Sequence, residues 1–212
     1  MSLFQGFTDH DFAGMLLPSL EERMAFIKGG PRPKLEALGA DLAPALGELV
    51  GEPIYPIVAK HARRKVNPPN DTWVAWSANK RGYKMMPHFQ VGMWGTHAFI
   101  QAGVIYEARG RAVFAHNLLA NREALQAALP GHFRWLEDYT QPQGIPHREM
   151  TAADFERIAE RLLTRKEADC MVGVSVDRAE AVRLGAGFAD LALQVMRTLA
   201  PVYRLAGAPV VL

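Results

Sequence analysis

Apolar residues recur at helical spacing over Leu35, Leu38, Leu42, Leu46 and Leu49, a stripe that predicts a helix with one buried face. Gly29, Gly30 and Pro31 break the chain before it, and Gly51 supplies its stop. Pro44 falls inside the stripe; it lacks an N–H and crowds the carbonyl of Ala40, which predicts a kink there or a break into two pieces. A similar stripe, Phe188, Leu191, Val195, Leu199 and Val202, predicts the final helix. Thr8 with Asp11, and Thr151 with Asp154, carry helix-start chemistry, a hydroxyl that caps an amide followed by an acid in the first turn. The second of these opens a helix whose buried stripe is Phe155, Ile158 and Leu162, and a further helix is predicted from about Arg111 to Leu129. The echo of Thr-x-x-Asp-Phe at Thr8 and Thr151 raises an internal duplication, but shared capping rules generate the same repeat cheaply.

The period changes in the middle third. Trp73 to Ala78, His88 to Trp94 and Ala98 to Tyr106 are rich in aromatic and β-branched residues and predict three strands with short connections, an antiparallel meander. Asn79-Lys80-Arg81-Gly82-Tyr83 has the turn chemistry of a hairpin. In the second strand Phe89, Val91 and Met93 point to the core, while His88, Gln90 and Trp94 point to a face left for water, a helix or a ligand. A short strand around Phe133 to Leu136, an irregular linker with Pro142, Gly144 and Pro146, and an alternating strand over Cys170, Val172, Val174 and Val176 follow. The predicted fold is α+β, a mostly antiparallel sheet with a central meander (Trp73 to Tyr106) and a later strand near Cys170 to Val176, packed by several helices. One domain over residues 1–206 and a C-terminal tail, 207–212, are expected.

Composition adds limits. With 49% apolar and 22% charged residues the chain is globular. Cys170 is the lone cysteine, which excludes an intramolecular disulfide and fits a reducing compartment. Asp9, His10 and Asp11 stand where a targeting segment would be basic and then apolar, so a cytoplasmic location is expected. No membrane partner is expected either, since Ala98 to Tyr106 falls far short of the roughly 20 residues that span a bilayer. The net charge of +2 hides an uneven distribution. Lys60, Arg63, Arg64, Lys65, Lys80, Arg81 and Lys84 face one acid, Asp71, between positions 60 and 90, a local charge of +6 that leaves −4 for the rest.

Several enzyme classes lack their motifs: there is no Walker A loop, His-Glu-x-x-His, Cys-x-x-Cys or nucleophile elbow. Gly185-Ala186-Gly187 imitates a dinucleotide fingerprint, but Asp190 replaces its third glycine, and a helix break is expected there. Gly173-Val174-Ser175-Val176-Asp177 imitates an elbow without its closing glycine. Seven histidines show no helical pair of ligands; His61, His88 and His97 remain a conceivable distant set, although no metal or cofactor is implied. Cys170 reads as a small core residue.

The candidate functional surface is the basic, aromatic-rich segment from Lys60 to Gln90. Lys60, Arg63, Arg64, Lys80, Arg81 and Lys84 supply cations, and adjacent guanidinium forks suit phosphate or carboxylate. Asn67, Asn70 and Gln90 supply polar contacts, and Trp73 and Tyr83, with Trp76 or Trp94, supply rings. The first reading is a binding protein for an anionic ligand, either nucleic acid or a phosphorylated small molecule. The second is an enzyme acting on a phosphorylated or carboxylated small molecule, with His61 or His88 as acid or base and Asp71 orienting it. A third makes an exposed sheet face and its tryptophans a partner or homodimer interface.

These segments also carry a likeness. Ala59-Lys60-His61-Ala62-Arg63-Arg64, Asn67-Pro68-Pro69-Asn70-Asp71-Thr72-Trp73-Val74-Ala75, Asn79-Lys80-Arg81-Gly82-Tyr83 and Pro87-His88-Phe89-Gln90 resemble the YktB-like family of uncharacterised bacterial proteins. The resemblance extends from Phe7-Thr8 through Arg32-Pro33-Lys34-Leu35-Glu36-Ala37-Leu38-Gly39 to Tyr203-Arg204-Leu205. It implies an α+β fold of cytoplasmic Firmicute type, and it carries over no catalytic residue.

Overall fold

A computed structural model describes residues 2–207; the tail expected over 207–212 lies, beyond Gly207, outside the described residues. The first helix, α1 (Asp9–Gly14), starts on the predicted cap: the Thr8 hydroxyl accepts the Asp11 N–H at 3.4 Å, and the Asp11 carboxylate accepts the Thr8 N–H at 2.7 Å. Asp11 is buried and ion-paired with Lys34. Helix α2 (Leu20–Gly29) was not legible from its apolar pattern; Ser19 caps it by accepting the Glu22 N–H at 3.2 Å. Helix α3 (Pro31–Val50) has proline at its first position and ends at Gly51, whose φ of 79° suits glycine.

Pro44 does not break α3, which runs through it as one helix of 20 residues. Pro44 and Ala40, whose carbonyl it deprives of a bond, both lie on the exposed side, where a missing hydrogen bond costs least, while Leu38, Leu42 and Leu46 stay buried. The single helix expected from Arg111 to Leu129 is two, α4 (Arg111–Ala120) and α5 (Arg122–Ala128). Asn121 divides them. Its side-chain amide and its backbone N–H both donate to the Asn117 carbonyl at 2.9 Å, the kind of local competition that ends helices at asparagine. Helix α6 (Ala152–Thr164) starts on the predicted Thr151 and Asp154 capping box. Helix α7 (Arg178–Leu184), a 3-10 turn at Gly185–Gly187 and α8 (Phe188–Arg204) complete the series, so the glycine pair is a helix break, as its missing third glycine implied.

The strands are β1 (Tyr55–Val58), β2 (Asp71–Ser77), β3 (His88–Trp94), β4 (His97–Val104), β5 (Arg134–Leu136), β6 (Ile145–Pro146) and β7 (Cys170–Asp177). They form one sheet in the order β1-β2-β3-β4-β7-β5-β6. The meander is present, with β3 and β4 joined through Gly95 and Thr96, and β5 runs antiparallel to both β6 and β7. The fold is α+β. Where β4 passes β7, Gly103 is required: a Cβ there would stand 2.0 Å from the Cys170 carbonyl oxygen. The face of β3 left for water, a helix or a ligand is a covered one, because every residue from His88 to Met93 is buried. The alternation of Phe89, Val91 and Met93 with polar neighbours thus marks two covered faces.

By the density of its contacts the chain falls into two compact units, Met1–Trp76 with Gln90–Ile100 and Ser175–Gln194, and Ser77–Phe89 with Gln101–Val174 and Val195–Leu212. In the first, Phe4, Phe7, Phe12 and Phe188 form a cluster of edge-on and tilted rings, and buried Trp76 donates its indole N–H to the Gly39 carbonyl of α3 at 3.0 Å. In the second, Trp135 packs edge-on against Phe155 and donates to buried His147 at 3.0 Å, and Phe89 stacks on Tyr203 at 4.8 Å. Cys170 is a buried free thiol in this second core, its pKa pushed up by burial.

Candidate anion-binding loop

The chain between β1 and β2 carries the densest part of the basic segment. Its feet are fixed. The Ala59 N–H donates to the Trp73 carbonyl at 2.9 Å, extending the pairing of β1 with β2. Arg32, on the first turn of α3, donates to the carbonyls of Ala59 and Lys60 at 3.4 and 3.3 Å. At the other end Arg23 of α2, which is almost fully buried, donates to the Pro69 carbonyl at 2.9 Å and to the Leu17 carbonyl at 2.7 Å. Two helix arginines therefore clamp the two ends, and the sequence reading missed both because they lie outside the basic run.

Between the clamps Lys60, Arg63, Arg64, Lys65 and Asn67 are exposed, as is Asn70. Among the described residues the side chains of Lys60, Arg63, Arg64 and Lys65 enter no ion pair within 4.0 Å. Among the described residues no ion-pair partner neutralises these cations, which is the condition under which a cationic loop attracts an external anion.

His61 turns the loop. It stands at φ 51°, in the left-handed region that is uncommon for residues other than glycine and that histidine, asparagine and aspartate enter more often than the rest. Its imidazole lies 3.3 Å from the Thr72 hydroxyl through Nε2 and edge-on to the half-buried Trp73 ring at 5.3 Å. Burial, then Arg64 and Arg32, pull its pKa down to about 4, so the ring is neutral at physiological pH. Asp71 behaves oppositely: burial pushes its carboxyl up to about 7, with Arg64 offsetting part of the rise. The group that titrates near neutrality in this loop is the acid, not the histidine.

The other nominated residues are divided. Lys80 and Arg81 are exposed in the second unit, where the Asn79 side chain accepts the Arg81 N–H at 3.0 Å and begins a turn. The connection from β2 to β3 is longer than a tight hairpin, with a second turn closed by the Met86 N–H on the Tyr83 carbonyl at 2.9 Å. Lys84 is not a free cation; it pairs with Glu107 at 2.8 Å. Tyr83 is buried, its ring 4.8 Å from that of His88. His88 is wholly buried and held at about pKa 4, so it is no surface acid or base. Gln90 and Trp76 are also buried, which removes them as an accessible polar contact and a stacking ring. Trp94 is half-buried and stacks on His97 at 6.0 Å. His61 and His88 belong to different units, and among the described residues no three histidine, cysteine or acidic side chains gather as metal ligands. The tryptophan-bearing sheet face expected for a partner is covered along β3. Among the described residues no helix is long and apolar enough to cross a membrane.

Comparison with known proteins places the chain in a family. The profile of the Domain of unknown function DUF1054 matches residues 7–203. The chain belongs to the DUF1054 family. A UPF0637 protein of Bacillus cytotoxicus is 51% identical over 172 residues, covering 81% of this chain and 83% of that protein. UPF0637 proteins of Bacillus mycoides and Bacillus cereus are each 45% identical over 202 residues, covering 95% of this chain and 97% of theirs. These are similarities to bacterial proteins of an uncharacterised family, in line with the YktB-like resemblance seen in the motifs. DUF1054 is a family of unknown function, so no substrate or catalytic set passes to this chain from it.

Proposed function

We propose that the protein binds an anionic, phosphate-bearing ligand, a nucleic acid or a phosphorylated small molecule, through the loop between β1 and β2. Lys60, Arg63, Arg64 and Lys65 supply the charge, Asn67 and Asn70 the polar contacts, and the exposed part of Trp73 a ring. One observation supports this reading above the others: four cations without ion-pair partners among the described residues stand within six positions of a loop clamped at both feet by Arg32 and Arg23. Clamping lowers the ordering cost of binding. Within the loop and its edges the one acid, Asp71, has its carboxyl pushed up to about 7 by burial, so it is about half protonated at neutral pH and offsets only part of the positive charge. The proposed anion site is confined to this loop; Lys80 and Arg81 are exposed in the second unit. A cytoplasmic location belongs to this reading, supported by the free, buried thiol of the lone cysteine.

An enzyme acting on a phosphorylated small molecule is the second reading, and one observation favours it: a carboxyl titrating near neutrality is suited to general acid or base work. In that case Asp71, not His61 or His88, moves the proton. A thermal-shift series with inorganic phosphate, nucleotides, sugar phosphates and short RNA, run on the wild type and on Arg63→Ala/Arg64→Ala, tests the binding reading. Stabilisation of the wild type that the double variant loses supports it. A chain that no phosphate compound stabilises, or a double variant that responds like the wild type, refutes it.

A further inference from the structure

Beyond the covered stretch of β3 the sheet opens at one end, where Trp94 closes β3, His97 begins β4 and Trp73 lies near the start of β2; all three are half-buried. Trp94 and His97 flank the turn at Gly95 and Thr96, and their rings run nearly parallel, 10° apart, with centroids at 6.0 Å. At that separation parallel rings are offset, so each leaves part of its face clear. Gly92, two positions before Trp94 and on the same face, has no side chain. A Cβ there would stand 2.4 Å from Phe99 Cζ and 2.7 Å from Trp73 Cβ, so the Phe99 ring lies down over the backbone of Gly92, beside Trp73. A glycine inside a strand weakens it and marks a place where another group comes close to the backbone. Here that group is one of the protein's own rings. The result is a low shelf of rings, Trp73, Phe99, Trp94 and His97, across β2, β3 and β4 within the first unit.

The shelf adjoins the cationic loop. The His61 ring, at the turn of the loop, packs edge-on against Trp73 at 5.3 Å, and the Ala59 N–H at the foot of the loop donates to the Trp73 carbonyl at 2.9 Å. Lys60, Arg63, Arg64 and Lys65 therefore follow directly on the rings, with no ion-pair partner among the described residues. The charged group that acts on His97 is Asp177, the last residue of β7, the strand next to β4. Positive charge is thus gathered at the β2 side of the shelf and a carboxylate stands at the β4 side. We propose that the shelf stacks the bases of a single-stranded nucleic acid whose phosphates are held by the loop. The proposal rests on the anion-binding reading above and narrows its ligand to a strand of a few nucleotides. Aromatic rings accept any base, because every base has a π-face, and rings beside a basic track hold a strand without regard to its sequence. Two features favour a strand over a single nucleotide. Rings stand at two places, Trp73 and the Trp94–His97 pair, and the cations are spread along the loop, whereas one nucleotide brings one base. A double helix is disfavoured, since its paired bases present edges in the grooves and not faces.

Fluorescence anisotropy of a labelled oligothymidylate of about ten nucleotides, set against an abasic sugar-phosphate strand of the same length over a series of salt concentrations, tests this on the full chain. For the wild type the oligothymidylate is expected to bind at least about tenfold tighter than the abasic strand. Both are expected to lose affinity with salt at a logarithmic slope of about −3, the value for four cations on a single strand. Trp94→Ala is expected to weaken the oligothymidylate about tenfold and to leave the abasic strand and the salt slope unchanged. Arg63→Ala/Arg64→Ala is expected to weaken both strands and to reduce the slope by about half. Equal affinity of the wild type for the two strands would overturn base stacking on the shelf, while anion binding by the loop would stand. Thymidine monophosphate binding as tightly as the oligothymidylate would overturn the strand in favour of a small nucleotide. If the wild type binds neither strand, this inference fails, and its response to inorganic phosphate decides separately whether the anion-binding reading fails with it. The comparison of the two strands on the wild type needs no variant, so a Trp94→Ala chain that folds poorly does not blunt it.

Discussion

The backbone N–H of Arg64 donates to the carbonyl oxygen of His61 at 3.0 Å, closing a turn whose first residue stands at φ 51°. A left-handed conformation costs an L residue about 1–2 kcal/mol, which glycine does not incur. Contacts to Thr72 and Trp73 hold the histidine there, and the turn it makes carries Arg63 and Arg64 outward. The comparison of two variants isolates the backbone cost. His61→Gly and His61→Ala lose the same ring contacts, but only glycine accepts the turn freely, so the glycine variant is expected to be more stable than the alanine variant by about 1 kcal/mol in urea denaturation. Equal stabilities would show that position 61 carries no such conformational demand.

Asp71 opposes stability at high pH. Its folded pKa of about 7 lies above the ordinary carboxylate value of 3.8, so folding favours the protonated form. The stability it contributes is full below the unfolded value and is lost as pH rises through about 7. Asp71→Asn removes the ionisation. The variant is expected to exceed the wild type by about 2 kcal/mol near pH 8, a figure discounted for partial exposure, and to show no advantage near pH 4. Calorimetric unfolding at the two values checks it. A variant less stable than the wild type near pH 8 would show that the carboxylate is stabilised in the folded chain.

Much of the fold was legible because its signals are local. Thr8 with Asp11 and Thr151 with Asp154 form the capping boxes their spacing implied. The stripe from Leu35 to Leu46 is buried as its period required, and the strands of the meander lie where the aromatic and β-branched runs put them. What was misjudged depended on tertiary surroundings. Pro44 was tolerated because it faces solvent, and His88 and Gln90 were read as an open face because alternation cannot tell a wet second face from a covered one. In the candidate loop the exposed cations were visible in the sequence, whereas the clamps Arg23 and Arg32 were not, since both act through backbone carbonyls at distant positions. The inversion of roles between His61 and Asp71 follows from burial, which a charge count does not carry.

His88 supplies an acid-sensitive element in the second unit. Its Nδ1 lies 3.1 Å from the Met86 carbonyl, which can only accept, so Nδ1 carries the proton and Nε2 is a buried acceptor without a partner among the described residues. Burial lowers its pKa to about 4, below the ordinary 6.5. The stability tied to its neutral form is full above that ordinary value and is lost as pH falls toward the folded one. His61 acts in the same direction and Asp71 in the opposite one, so the share of His88 is read from a difference. Between about pH 7.5 and pH 4.5 the wild type is expected to lose about 2 kcal/mol more than His88→Phe does, measured by urea unfolding. Identical pH profiles would mean that His88 protonates as readily folded as unfolded.

The central claim, that the clamped loop between β1 and β2 is an anion site, is tested most directly by following backbone amide resonances during titration with inorganic phosphate. Saturable shifts concentrated from Lys60 to Trp73 are expected in the wild type and are expected to vanish in Arg63→Ala/Arg64→Ala. Shifts confined to other segments, or an unchanged response in the double variant, would contradict it.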